Sequence, residues 1–587
     1  MQQFFGFLLV SLALLGYQFA SAQPAELLTP YERSEGTQTA TYNEAIAFYE
    51  ALRAAYPEQV RRVKMGLTDC GKPLMVYLFS AEGRPNVERA RAAGDAVLLI
   101  QNGIHPGEPE GVDASMLFAR ELLTASDNER LRGLLVAIIP IYNIGGALNR
   151  SCCSRANQQG PQAYGFRGNR KNLDLNRDYI KQDSRNAQEF ARLFRWLNPD
   201  LFLDTHTSNG ADYQHVFTLI ETQHNKLGGV LGDYLHHRFT PALYDGMAEA
   251  GWEMAPYVMT RKGIPDSGLV GYLETPRYSS GYAALFGSLA FVPETHMLKP
   301  FAERMQATLA FLKVSARLLQ QERETIRQLR EEQTQFWSRQ THYPIGWELD
   351  TTRCDSFFFR GYTASDSLGE LTGLSRRYYN RDKPWQDSIA NYCYYRISKK
   401  VRIPYAYVIP QAYEGVIRRL SAAGVTLKRV PRDTLISGEG YYIRSEETVN
   451  TPYESHYLHY NTIVEAQPME LPFYSGDYIV ATDGDNLPYR RLLLETLEPH
   501  APDSYFAWNF FDGILMQKEH FSRYVFEAKA AQWLTEHPEL RAELEERKAS
   551  DEEFANDARA QLDFVYKRSP WYEPTHRRYP VLRLVDR

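Results

Sequence analysis

Four short apolar runs, each passing into polar residues, do most to limit what this chain of 587 residues can fold into. They are "AVLLI" before "QNGIHPGE", "LLVAIIPIYN", "DLFLD" before "THTSNG", and "LAFVP" before "ETH". Unbroken apolar runs of this length read as strands buried on both faces, which is the condition of strands in mostly parallel sheets. Helical patterns lie between them, in "GVDASMLFARELL" and "NAQEFARLFRWL". Upstream, "TYNEAIAFYEALRAAYPE" reads as a helix and "VRRVKMGLTDCGKPLMVYLFS" as a hairpin turning at "DCGK". The alternation predicts an α/β fold with a central mixed, mostly parallel sheet flanked by helices. Ligands of open α/β sheets sit beyond the carboxyl ends of the strands. Three of the four runs deliver a His or Glu to that rim: His105 with Glu108, His206, and Glu294.

The rest of the chain sets the frame around this sheet. Its length calls for two or three domains. With 44% apolar and 24% charged residues it should fold throughout, and a net charge of -6 with no Lys/Arg-dense region excludes a dedicated nucleic-acid binder. The N-terminal "MQQFFGFLLVSLALLGYQFASAQPAEL" reads as a secretory signal over residues 1–22, cleaved after Ala22. Its apolar core is too short for an anchor, so a secreted or periplasmic protein without a transmembrane segment is expected. A first domain is placed at 23–315, a charged helical connector at 316–337, and a mixed α+β accessory domain at 338–587, Tyr-rich and strand-like before a helical end. Five cysteines, with no C-x-x-C pair, allow one or two bridges and leave any metal site to His and carboxylates.

A hydrolytic zinc site takes three ligands from His and carboxylate and keeps a fourth position for water. In "HPGE" the three-residue spacing within a turn lets His105 and Glu108 point to one side; the third ligand must come from elsewhere, and His206 at another strand end is a candidate. The "HH" pair (His236, His237) and "HYLH" (His456, His459) have no third ligand nearby in sequence and are read as surface or core. No G-x-S-x-G elbow or P-loop is present, which excludes serine hydrolase and nucleotide chemistry of those types.

Residues 42–311 resemble the zinc metallocarboxypeptidase family of the carboxypeptidase A/B type, in its bacterial secreted form. The resemblance rests on "HPGE", on "NLDLNRD" as a D-x-N-R motif, on "DTHTSNG", and on "LAFVPETHMLKP", in that order. It implies one Zn2+ per chain held by His105, Glu108 and His206. It further implies that Glu294 is the general base, with Glu274 in "GYLETPRY" as competitor, and that Asp174 orients His105. Asn176 and Arg177 would grip the terminal carboxylate of a peptide. A second arginine would stabilise the oxyanion, with Arg155 favoured over Arg167 and Arg170. A covering tyrosine would be Tyr278 or Tyr282, between which spacing does not choose. "IYNIGG" departs from the Pro-Asp-Gly turn of many relatives, and residues 338–587 match nothing in the family. The implied activity is hydrolysis at peptide or protein C-termini. Its rivals are a cell-wall peptide amidase or endopeptidase on the same scaffold, and a zinc- or peptide-binding protein without turnover.

Overall fold

The computed structural model describes residues 27–126 and 129–586. The expected signal segment lies outside the described residues, among which no helix is long and apolar enough to cross a membrane. In chain order the strands of the first half are β1 (Val60–Leu67), β2 (Pro73–Phe79), β3 (Ala96–Gln101), β4 (Leu134–Ile139), β5 (Leu201–Asp204), β6 (His206–Ser208), β7 (Phe217–Glu221), β8 (Met254–Pro256), β9 (Leu269–Val270) and β10 (Leu289–His296). All but β9 form one sheet in the order β1-β2-β4-β3-β5-β10-β7-β8, with β6 also on β10. β3, β4, β5, β6 and β10 run parallel at its centre, while β1, β2 and β7 join antiparallel. The four apolar runs are β3, β4, β5 and β10, so the mixed, mostly parallel sheet read from the sequence is the sheet observed.

Alternation within these strands supplies two cores. On β3, Leu98 and Ile100 face helices Glu110–Thr124 and Phe301–Ser338 through Met116, Phe311 and Leu312. Val97 and Leu99 face the opposite way, toward Phe190, Phe194 and Tyr282. That second core continues without a break into Tyr407, Val480 and Leu492 of the second half. Helix Phe301–Ser338 is a single element. Its distal part remains packed through buried Ile326 and Trp337 and through Arg330 paired with the buried Asp200.

Two local features aim the rim. Between β5 and β6 the strand breaks at Thr205, whose N–H donates to Gln101 O at 3.1 Å and whose hydroxyl donates to Asn102 Oδ1 at 3.0 Å. Gly111, in the first turn of Glu110–Thr124, sits so close that a Cβ there would stand 1.9 Å from Thr205 Oγ1. Only glycine lets that helix, and the His105–Glu108 turn before it, press against the break that carries His206.

The second half contains β11 (His342–Leu349), β12 (Asp355–Leu368), β13 (Ser375–Tyr392), β14 (Tyr395–Arg402), β15 (Ala406–Ile409), β16 (Lys428–Arg429), β17 (Thr434–Thr448), β18 (His459–Phe473), β19 (Tyr478–Ala481) and β20 (Leu582–Leu584). β11 pairs with β14, and the long β12–β13 hairpin takes β9 of the first half onto its edge. The six-stranded sheet runs β16-β19-β15-β20-β17-β18. Helices between Arg490 and Tyr566 precede β20, a strand that the sequence patterns did not mark. Of the cysteines, Cys152 is bonded to its neighbour Cys153, and Cys70, Cys354 and Cys393 are free.

Candidate metal centre and substrate cleft

His105, Glu108 and His206 come together from two places on the rim and are all buried, with candidate ligand atoms within 4.8 Å of one another. Their orientation is consistent. Nδ1 of His105 lies 3.2 Å from Glu108 Oε1, and Nδ1 of His206 lies 3.0 Å from Glu108 Oε2. The other ring nitrogens turn away onto carboxylates: His105 Nε2 to Asp174 Oδ1 at 2.8 Å, and His206 Nε2 to Asp204 Oδ2 at 3.2 Å. A carboxylate on the far nitrogen fixes the tautomer and ring angle of a metal-binding histidine. The set therefore fits a zinc ion in ligand type, number and outer support.

Asp204 is an addition to the residues expected from the sequence. It closes β5, accepts from Tyr179 Oη at 3.1 Å and from Gln101 Nε2 at 2.9 Å, and was readable only as a strand-end carboxylate two positions before His206. The local charges are strongly coupled. Burial acts to raise the Glu108 carboxyl, but His105 and Arg155 beside it and its hydrogen bonds hold it well below the usual range. Asp174 is likewise held well below it, against burial, by His105, Arg167 and Arg177. Glu294, buried and facing the carboxylates of Glu108 and Asp204, goes the other way: burial and those charges push it up to about 8. Its backbone pairs with His206 on one side and Thr218 on the other, which sets its side chain in the row of the metal ligands.

His105, Glu108, His206 and Glu294 line a cleft of about 220 Å³ that also takes in Arg155, Arg167, Asn176, Arg177 and Tyr278. Arg155 is committed, donating to Glu108 Oε1 at 2.8 Å and to Thr207 O at 3.2 Å. Arg167 donates to Asp174 Oδ2 through Nε and Nη2 and leaves Nη1 3.3 Å from His105 Nδ1, with 45% of its side chain exposed. Arg170 does not line the cleft. Asp174 caps the short turn Leu175–Arg177 by accepting from Asn176 N at 2.9 Å, which is how the D-x-N-R spacing brings Asn176 and Arg177 to the same wall. The Arg177 guanidinium lies 4.7 Å over the Tyr278 ring.

Other expected residues are placed elsewhere. Tyr282 is only 1% exposed and packs in the core against Phe194 and Phe286, so of the two tyrosines it is Tyr278 that reaches the cleft. Glu274 is buried away from the cleft, accepting from Gln223 N at 2.8 Å. The cleft wall also contains Tyr257 and Tyr272, the latter edge-on to Tyr278 at 5.5 Å. From the second half, the β17–β18 loop adds Tyr453, whose hydroxyl accepts from Arg177 Nε at 3.1 Å, and Glu454, which accepts from Asp174 N at 2.8 Å. Nothing in the sequence marked this loop, because its partners lie more than 270 residues upstream.

Residues 45–211 match the family model of zinc carboxypeptidases, a span that holds the three candidate ligands and the D-x-N-R turn and stops before Tyr278 and Glu294. No curated protein matches the chain. Among solved structures, the chain is similar to a metallo-carboxypeptidase from Burkholderia cenocepacia at 16% identity and TM-score 0.36, over 48% of this chain and 70% of that one. It is similar to carboxypeptidase A from Helicoverpa armigera at 15% identity and TM-score 0.37, over 51% and 78%. A metallo-carboxypeptidase from Pseudomonas aeruginosa, in complex with (2-guanidinoethylmercapto)succinic acid, aligns at 16% identity and TM-score 0.36, over 49% and 70%. The family match thus falls on the residues that form the buried His-Glu-His group, so residues 45–211 carry the zinc carboxypeptidase match and its candidate zinc ligands together.

Proposed function

We propose that the protein is an exported carboxypeptidase that removes residues from the C-termini of peptides. The observation that carries this reading is the shared cleft: the buried His105, Glu108 and His206 group, Glu294 and Arg177 all face the same space. His105, Glu108 and His206 would hold the zinc ion, which when bound polarises a carbonyl and acidifies water. Glu294 takes the proton from the attacking water and returns it to the leaving amine. Its burial beside the carboxylates of Glu108 and Asp204 favours holding a proton at Oε between those two events. Arg177, with Asn176, receives the substrate's terminal carboxylate through paired, charge-assisted hydrogen bonds. Asp174 and Asp204 are positioning residues that act through the histidines.

For the oxyanion, the reading moves from Arg155 to Arg167. Arg155 is neutralised by Glu108 and engaged by Thr207 O, whereas Arg167 keeps Nη1 toward the histidine ligand and has solvent access for a substrate oxygen. Tyr278, stacked on Arg177, is the side chain placed to cover a bound C-terminal residue. We take residues 23–315 as the catalytic domain, 316–337 as a connector and 338–587 as an accessory domain that lends Tyr453 and Glu454 to the cleft. Export is supported by the apolar run and the Ala20-Ser21-Ala22 triplet at the N-terminus.

The test is to incubate the purified protein with peptides ending in a free carboxylate or an amide and to read the products by mass. Stepwise loss of C-terminal residues from the free-acid peptide alone is expected. Glu294→Gln should lower kcat by about 10²–10⁴-fold while keeping its zinc. Internal cuts, or equal turnover of the amidated peptide, would favour the cell-wall endopeptidase or amidase. Absence of turnover in the zinc-loaded protein overturns both.

A further inference from the structure

A second cluster offers the same donor set as the first, two histidines and a glutamate. Glu221 ends β7, His224 opens the short helix His224–Leu227, and His236 lies in the π-helical turn Leu235–Phe239. Their candidate ligand atoms lie within 4.8 Å of one another. Nδ1 of His236 is 3.3 Å, and Nδ1 of His224 is 3.7 Å, from the same Glu221 Oε1. The far nitrogen of His236 turns onto a carboxylate, Asp355 Oδ2, at 3.2 Å. As at Glu108, two near nitrogens lie beside one glutamate and an aspartate holds a far nitrogen, but the rings of His224 and His236 are stacked at 18° where those of His105 and His206 cross at 73°, so a shared ion would require one of the two to turn.

The independent observation is His224. It is 5% exposed, and neither of its ring nitrogens has a hydrogen-bond partner. Its ring is stacked on His236 with centroids 3.9 Å apart and is closed off on another side by Tyr394. A buried imidazole without partners loses the hydrogen bonds that water gave it, and a metal ion is a partner that would restore one. Separations of 3.3 and 3.7 Å between ligand atoms match the edges of a tetrahedron with metal–ligand bonds of about 2.0–2.2 Å.

We propose that Glu221, His224 and His236 form a second metal site, for a divalent transition ion of the zinc type, with Asp355 orienting His236. Two imidazoles and a carboxylate favour zinc over calcium or magnesium, which take oxygen ligands. The sequence reading set His236 aside because no third ligand was near it in the chain. The missing ligands stand 12 and 15 positions earlier, at His224 and Glu221, and are brought round by the helical turns between them. The site is structural in its placement. Asp355 starts β12 and is also reached by Tyr394 Oη at 2.9 Å and Cys393 Sγ at 3.2 Å, so an ion here would tie the β7–helix segment to the second half of the chain. It would also stiffen one wall of a cavity of about 420 Å³, which shares Ile220, Tyr257 and Tyr272 with the catalytic cleft.

The experiment is metal analysis of the full-length mature protein, purified with zinc and dialysed, together with X-ray anomalous scattering at the zinc edge. The expected content is about two zinc ions per chain. His224→Gln and His236→Gln should each lose one ion and keep peptide turnover within about threefold, while His206→Ala should lose the other ion and all turnover. An anomalous peak between Glu221 and the two histidines of the wild-type protein is expected, and reads the site even if a variant does not fold. One zinc in the wild type that His224→Gln leaves untouched, or no anomalous peak beside Glu221, overturns the proposal. Neither result bears on the catalytic reading, which rests on the His206→Ala and Glu294→Gln variants.

Discussion

Arg155 and Arg167 stand on the same side of Glu108 and differ in what their guanidinium groups are free to do. If Arg167 meets the oxyanion, Arg167→Ala should cut kcat by about 10²–10³-fold with little change in zinc content, the size seen when one such donor is removed. Arg155→Ala should instead weaken zinc retention, because it removes a buried countercharge from Glu108. Steady-state kinetics beside metal analysis separates the two, and a larger kcat loss in Arg155→Ala would reverse the assignment. Asp113 offers a prediction on stability. Burial pushes its carboxyl up to about 7, despite hydrogen bonds from Thr39 Oγ1 and Ala40 N, against an ordinary value of 3.8. The folded chain thus keeps a proton that the unfolded chain releases. The contribution is complete below pH 3.8 and is lost as pH rises to about 7, by up to about 1.4 kcal/mol per pH unit. Asp113→Asn should remove this slope, measured by urea unfolding at several pH values. At this scale the sequence was informative where residues sit on strand ends or in tight turns, as with His105, Glu108, Asp174 and His206. It could not choose between Tyr278 and Tyr282, four positions apart in the chain, because that choice depends on which face of helix Ser279–Ala284 meets Phe194.

Elements explain why the site survives in so open a rim. The break at Thr205 and the close approach of Gly111 lock the His105–Glu108 turn to the His206 strand. Gly111→Ala should therefore disturb the metal centre without touching a ligand. The β17–β18 loop is the element of the second half that reaches Arg177 and Asp174. Tyr453 occupies Arg177 Nε, and Glu454 places a carboxylate beside the same turn. Tyr453→Phe is expected to raise or lower KM for free-acid peptides several-fold while leaving kcat nearly unchanged, since it touches the carboxylate clamp and not Glu294. A kcat effect as large as that of Glu294→Gln would show that the loop does more than shape the clamp. This loop was invisible in the sequence for a plain reason: hydrogen bonds to Asp174 and Arg177 leave no periodicity in the residues that make them. The strands β12 and β13 were legible only as Tyr-rich extended chain, since they bury only a small cluster around Phe359 and Ile389 and leave most other positions exposed or half-buried.

For the whole molecule, the two halves share one apolar core and a buried polar junction. Phe190, Phe194 and Tyr282 join Tyr407, Val480 and Leu492, and Asp183 is held by Arg419 at 2.8 Å and His456 at 2.7 Å. A chain cut after Ser338 should lose this core on one side. It is expected to aggregate or to bind ANS as a loosely packed state, and a soluble, cooperative, active fragment would show that the first half is independent. The sheet of the first half could be read from four apolar runs because burial on both faces writes itself into composition. The junction could not, because contacts between distant surfaces follow no local rule. One feature of the second half reaches beyond the folded state. β20 lies between β15 and β17, inside the six-stranded sheet, and its buried Arg583 pairs at 3.0 Å with Glu498 at the end of helix Arg490–Leu497. Residues 582–584 are therefore a wedge that joins two parts of one sheet. Without them β15 and β17 would present unpaired backbone edges to each other, so deleting this strand should leave the sheet open and prone to edge-to-edge association.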